Sequence, residues 1–187
     1  MVYALKEWAA VVEALAAGQQ VFVLRKGGIA EGKHGFQLKH SRFLLLPTWE
    51  HQQRDFLRPE SHALFDRLRP DDDSSIVIRH WAEAVDVLRA PPNREAIIES
   101  ADVHVWAPSY IQMRYDYRSD LPLWVITLRV WVLPTPIQLE NTRFYKGCRS
   151  WVELAEDVDL TGSKMAMNES LFGTSRHRLL KRLNLRP

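Results

Sequence analysis

The sequence carries a single cysteine, Cys148, in 187 residues. That excludes an intramolecular disulfide and any zinc site built on paired cysteines, and it fits a reducing cytoplasm. No stretch of 18 apolar residues occurs. The opening segment "MVYALKEWAAVVEALAAG" is interrupted by Lys6, Glu7 and Glu13, so it reads neither as a signal-peptide core nor as a membrane span. There are no internal repeats and no low-complexity tracts. A net charge of +2 is too small to mark a nucleic-acid binder by bulk charge alone; what counts is where the charges gather. Acids cluster at Asp71–Asp73 and at 153–157. Bases cluster near the end, at Arg176, His177, Arg178, Lys181, Arg182 and Arg186.

The familiar catalytic signatures are missing too. "GGIAEGKH" has the glycines and the lysine of a phosphate loop, but His34 stands where Ser or Thr should hold magnesium. There is no G-x-S-x-G elbow, no H-E-x-x-H helix and no Nudix box. Glu31-Gly32-Lys33 has the spelling of a nuclease E-x-K, yet it sits in a Gly-rich loop without the preceding aspartate. None of the pairs that His51 forms with His62, His80 or His104 has a tight ligand spacing, so no metal and no cofactor is expected.

What is present is a well-stocked apolar core. Hydrophobic residues make up 46% of the chain and charged residues 26%, ordinary for one globular domain, and the seven tryptophans supply large core anchors. Leu5, Trp8, Ala9, Val12, Leu15 and Ala16 repeat as one helix face, closed by Gly18. Residues 20–25 read as a strand and 26–35 as a loop holding four of the eight glycines. Residues 36–46 read as one bent strand or two short ones, stopped by Pro47. Residues 49–57 and 59–68 have helical period. The polar run 69–75 is the best internal boundary, dividing one domain into lobes 1–68 and 76–187. Residues 76–88 fit a strand at first and a helix from Trp81 on. A short helix is expected over 91–101 and an alternating strand over 110–118. Residues 123–133 form the strongest strand, ended by Pro134-Thr135-Pro136; another short strand spans 148–154, and a helix follows Asn168. The expected fold is therefore α+β: a mixed or largely antiparallel sheet with an N-terminal helix and several short helices.

Candidate functional residues follow from these placements. Arg25, Lys26, Gly27 and Gly28 put two cations beside flexible backbone that can approach a phosphate; the plain alternative is a hairpin turn. Trp49, Glu50, His51 and Gln52 follow an apolar strand directly. On a helix, Glu50 would pair with Arg54 and His51 with Asp55; as a site, Glu50 or His51 would act as acid or base and Gln52 would bond a base edge. Arg114 and Arg129 are placed on strands. Arg129, alone among apolar residues, needs a partner such as Glu50, Asp116 or Glu153, or else aims at an anion. The basic tail reads as a solvated helix or a phosphate contact, and Cys148 as a packed small residue.

Three blocks, "ALKEWAAVVEAL", "LRKGGI" and "FLLLPTWEHQ", followed by "HVWAPSYIQMRY", "LRVWVL" and "GCRSWVEL", resemble a bacterial family of domains of unknown function, number 1802, over about residues 4 to 154. The resemblance implies no activity; it suggests a setting in DNA modification or defence. The succession of elements ending in "GCRSWVEL" is similar to small β-barrel nucleic-acid readers of the PUA and ASCH type, without their diagnostic motifs.

Together these features favour a cytoplasmic, non-catalytic module that binds DNA, RNA or a phosphate-bearing ligand through Arg25, Lys26, Trp49, Gln52, Arg114 and Arg129, since aromatics interleaved with arginine suit stacking plus phosphate contact. The alternatives are a small hydrolase using Glu50 and His51, and a structural partner of another protein. No membrane association is expected.

Overall fold

The computed structural model describes residues 2–26, 31–32, 35–36, 38, 40–68, 74–147, 149–154 and 157–187. The fold is α+β. Strand β1 (Val2–Trp8) leads straight into helix α1 (Ala9–Ala16). Then come β2 (Phe22–Arg25), a minor hairpin of β3 (Glu31–Gly32) and β4 (Gly35–Phe36), and β5 (Arg42–Thr48). A short helix α2 (His62–Arg67) precedes the long strand β6 (Ser75–Arg89). Helices α3 (Glu95–Ile98) and α4 (Pro108–Asp116) separate it from β7 (Trp124–Glu140), and β8 (Trp151–Leu154), β9 (Lys164–Met165) and α5 (Glu169–Arg182) complete the chain.

The main sheet has the order β2-β7-β6-β5-β1-β8, with β9 on a second part of β7. It is mixed: β1 and β5 run parallel, and the other pairs are antiparallel. It is also strongly curled. β1 lies four places from β2 in that order, which in a flat sheet at about 4.8 Å per strand would be roughly 19 Å. Yet Arg25, at the end of β2, donates from Nη2 to the Lys6 carbonyl of β1 at 2.6 Å. The carboxyl ends of β1 and β2 are thus drawn together across the concave side. Helix α1 packs against β1, β5 and β7 and is buried almost all round, at Ala9, Ala10, Val11, Val12, Ala14 and Leu15. That explains why its turns are apolar on every side but that of Glu13. Gly18, at φ 71, closes the helix in the left-handed conformation that suits glycine. Phe172 and Leu179 of α5, and Leu183 just after it, join the same core. A smaller core of Ala4, Leu44, Leu46, Ile76, Ile78, Trp81, Leu133 and Leu154 is covered by Tyr145, Val158 and Leu160.

Several expectations from the sequence are corrected. Leu5 and Trp8 belong to a strand, because β1 gains ladder bonds from both β5 and β8 and these outweigh local helical period. Pro47 does not stop β5: its neighbour there is β1, while pairing with β6 covers only Arg42–Leu44, so the missing N–H falls where a ladder bond is not needed. Pro134 and Pro136 do not end β7 either. The register jumps from His80↔Val132 to Ile78↔Ile137, and both prolines sit in that irregular stretch, where pairing is already interrupted. Residues 75–89 form one strand throughout. Residues 110–118 are not a strand: α4 runs to Asp116, with Pro108 at its first turn, a position where proline's fixed φ and absent N–H suit a helix start. Residues 49–57 are not helical beyond the single 3-10 turn Arg54–Phe56.

Candidate functional site

A cleft of about 650 Å³ opens where the carboxyl ends of three strands meet. β1 contributes Lys6 and Glu7; β2 and the following residue contribute Arg25 and Lys26; the segment after β5 contributes Glu50 and His51. The far wall is the last turn of α4 and its continuation, Arg114, Tyr117 and Arg118, with Gly147 and Arg149 at one side. The described lining holds six cations against two carboxylates.

Three of those cations are already engaged. Arg25 pairs with Glu7 at 2.9 Å, both largely buried. The Lys26 ammonium donates to the Tyr115 carbonyl at 2.6 Å and the Arg114 carbonyl at 3.3 Å, satisfying the negative end of α4. Burial, and secondly the Arg114 charge, lower its pKa below the ordinary lysine value, with Asp120 and Asp116 opposing. Lys6 donates to Glu50 at 3.4 Å and to the Gly147 carbonyl at 2.8 Å. The other three cations are less committed. Arg114 makes one long bond to the Leu24 carbonyl, at 3.4 Å, and lies 6.0 Å from the Tyr117 ring. Arg118 and Arg149 are exposed. None of the three has a carboxylate partner among the described residues.

Glu50 forms a clasp. Its two oxygens accept from the Gly147 N–H at 3.0 and 3.1 Å, and Lys6 closes the loop on the Gly147 carbonyl. Gly147 adopts φ 90, where a side chain would be strained. Gln52 turns the other way: its Oε1 accepts from the Ala10 N–H at 2.9 Å, capping α1, whose own N-cap residue Trp8 offers no side-chain bond. Between these two anchored residues His51 is held at φ 59, and across the cleft Arg118 stands at φ 45. Left-handed backbone outside glycine costs roughly 1 kcal/mol or more and persists where neighbours over-determine it. Two of the three such residues in the described structure line this one cleft.

The ion pair that a helix would give Glu50 does not form: Arg54 pairs with Asp66 at 2.9 Å, and Glu50 takes Lys6. Trp49 and Gln52 lie away from the cleft mouth; the Trp49 Nε1–H donates to the Leu68 carbonyl at 2.6 Å. Arg129 is elsewhere. It is partly exposed, pairs with Glu169 at 2.6 Å and Glu83 at 3.8 Å, and lies over Phe172; none of Glu50, Asp116 and Glu153 is its partner. Arg114 projects from a helix, not a strand. Gly27, Gly28 and Cys148 lie outside the described residues. The basic tail faces carboxylates: Arg176 holds Asp86 at 2.5 Å, and Arg178 and Arg182 both bond Asp102. Lys6, Arg118 and Arg149 were not singled out from the sequence. The signal for Lys6 was a charge inside an alternating apolar segment, visible only once that segment is read as a strand.

Among the described residues no group of three or more His, Cys, Asp or Glu could hold a metal ion, and no helix is long and apolar enough to cross a membrane.

A family model described as "Domain of unknown function (DUF1802)" matches residues 4–178, extending past β8 into α5. Comparison with curated proteins gives no match. Two crystal structures of ZmASCH mutant proteins from Zymomonas mobilis are similar in shape. One has a TM-score of 0.46 at 13% identity, covering 82% of this chain and 90% of that chain. The other has 0.43 at 11% identity, covering 82% and 88%.

Proposed function

The chain belongs to the DUF1802 family, and we propose that it is a nucleic-acid binding module whose cleft holds the phosphates of the bound strand. The observation that carries this is the wall made by Arg114, Arg118 and Arg149: three guanidinium groups without carboxylate partners among the described residues, beside Tyr117, which is 53% exposed. Guanidinium forks match phosphate oxygens, and an exposed tyrosine next to them offers a stacking face. Arg25 and Lys26 serve this wall indirectly, Lys26 by fixing the end of α4 from which Arg114 and Arg118 project. Trp49 and Gln52 anchor the segment that carries His51. Arg129 anchors α5 and has no part in the cleft. Glu50 acts as a positioning residue, since its oxygens are spent on Gly147 and Lys6; this weighs against the hydrolase alternative, in which Glu50 is an acid or base. A role in DNA modification or defence belongs to the same proposal.

The test is the binding of labelled single-stranded DNA and RNA at low salt by the protein and by an Arg114→Gln, Arg118→Gln, Arg149→Gln triple variant. Loss of binding with an unchanged thermal transition is the expected result. Equal binding by the variant, or no binding by the parent protein, refutes the proposal.

A further inference from the structure

We propose that a second cavity, behind the Glu50–Gly147 clasp, is a base pocket, so that the ligand is a single strand with an unpaired base turned into the protein. The inference rests on the cleft reading above and deepens it. The cavity measures about 520 Å³ and shares Lys6, Thr48 and Glu50 with the cationic cleft. The two spaces therefore border the same side chains, so a strand whose phosphates lie in the cleft has this cavity as its immediate neighbour.

The lining suits a flat ring. Trp49, Phe65 and Tyr145 supply aromatic faces, and Leu46 and Ile76 supply apolar surface. Trp49 is fixed in orientation by its bond to the Leu68 carbonyl, so that wall is already rigid before a ligand arrives. Polar groups stand at the shared wall. Lys6 is the most telling of them: its side chain is only 7% exposed, and it borders both spaces. Its ammonium carries three protons, and the bonds to Glu50 and Gly147 use two. The third proton is available to a ring carbonyl or phosphate oxygen. A buried ammonium with a spare donor, next to aromatic walls and a cationic cleft, matches a nucleotide, which has an apolar face, polar edges and an anionic tail. Duplex DNA keeps its bases stacked and paired inside, so it cannot place one in this cavity without flipping it out.

The experiment compares three labelled probes of equal length on the intact protein: an oligothymidylate, an abasic sugar–phosphate chain, and the thymidylate strand in a duplex. The parent protein is expected to bind the base-bearing single strand at least about tenfold more tightly than the abasic chain or the duplex. Tyr145→Leu, which keeps apolar bulk in the smaller core, is expected to erase most of that difference and leave abasic binding unchanged. Equal affinity for all three probes would overturn the base pocket and leave the phosphate cleft standing. Failure of the parent protein to bind any probe would overturn both. The three-probe comparison separates the base from the phosphates, and Tyr117→Leu separates the pocket from the exposed stacking face of the cleft: a preference for the base-bearing strand that Tyr117→Leu abolishes and Tyr145→Leu leaves intact would overturn the base pocket.

Discussion

Gln52 illustrates how a side chain that looks functional is spent on structure. From the sequence it stands beside Glu50 and His51 as a natural reader of a base edge; in the fold it caps α1 from 42 residues away. Gln52→Ala should cost about 1 kcal/mol in urea unfolding, the usual effect of losing an N-terminal cap, with the salt dependence of nucleic-acid binding unchanged. His104 is a second case. It is almost fully buried; its Nε2 bonds the Ile97 carbonyl at 2.8 Å, and its Nδ1 accepts from the Trp106 N–H at 3.2 Å. Both bonds suit the neutral ring, and burial lowers its pKa from 6.5 to about 4. The unfolded chain therefore takes up a proton below pH 6.5 that the folded chain refuses until about 4, so stability falls as pH falls through that window, by up to about 3 kcal/mol. His80, also pushed down by burial, acts in the same direction. Against the opposing effect of burial, hydrogen bonds from Arg176 and Thr127 hold Asp86, and those from Arg178 and Arg182 hold Asp102, below the usual carboxylate range, so both add a loss of the same sign that begins at the acid end of this window, as the unfolded carboxyls take up protons. Urea melts at several pH values should show the loss, and His104→Gln should flatten it; a flat profile in the parent protein would contradict this.

Elements were legible where one signal dominated. The strand expected over 123–133 is the first part of β7, and the helix expected from Asn168 is α5, with Asn168 accepting from the Leu171 N–H at 2.9 Å. They were illegible where tertiary contacts decide. Alternation over 110–118 imitates a strand, yet Pro108 starts a helix that places Tyr110 and Ile111 in the core. Pro47, Pro134 and Pro136 look like terminators, but each lies where the ladder is one-sided or interrupted, a property of the partner strands and not of the proline. The docking of α5 gives a prediction of its own. Asp86 is buried at a register shift in β6, accepting from Thr127 at 2.5 Å and from both Nε and Nη2 of Arg176. Arg176→Met strands that carboxylate and should destabilise the protein by about 3 kcal/mol. Adding Asp86→Asn should recover more than half of the loss, as a double-mutant cycle in urea would measure.

Taken whole, the molecule works through its curl. A flat sheet with the same strand order would leave Arg25 and Glu7 on distant strands. Curling brings the carboxyl ends of β1, β2 and β5 to one place, and α4 and the segment around Gly147 complete the rim. That convergence could not be read from the sequence, because it depends on long-range pairing; the curl gathers Arg25, Lys26, Glu50, His51 and Arg114 at one cleft, while Arg129 lies mid-strand in β7 with Glu83 and Glu169. The most direct measurement is the affinity for a labelled single strand between about 50 and about 200 mM salt. If Arg114, Arg118 and Arg149 each neutralise one phosphate, log K should fall against log salt with a slope of about −2, and the triple glutamine variant should lose most of that slope. A parent protein that binds without salt dependence, or a triple variant that keeps the full slope, would contradict the assignment of phosphates to this cleft.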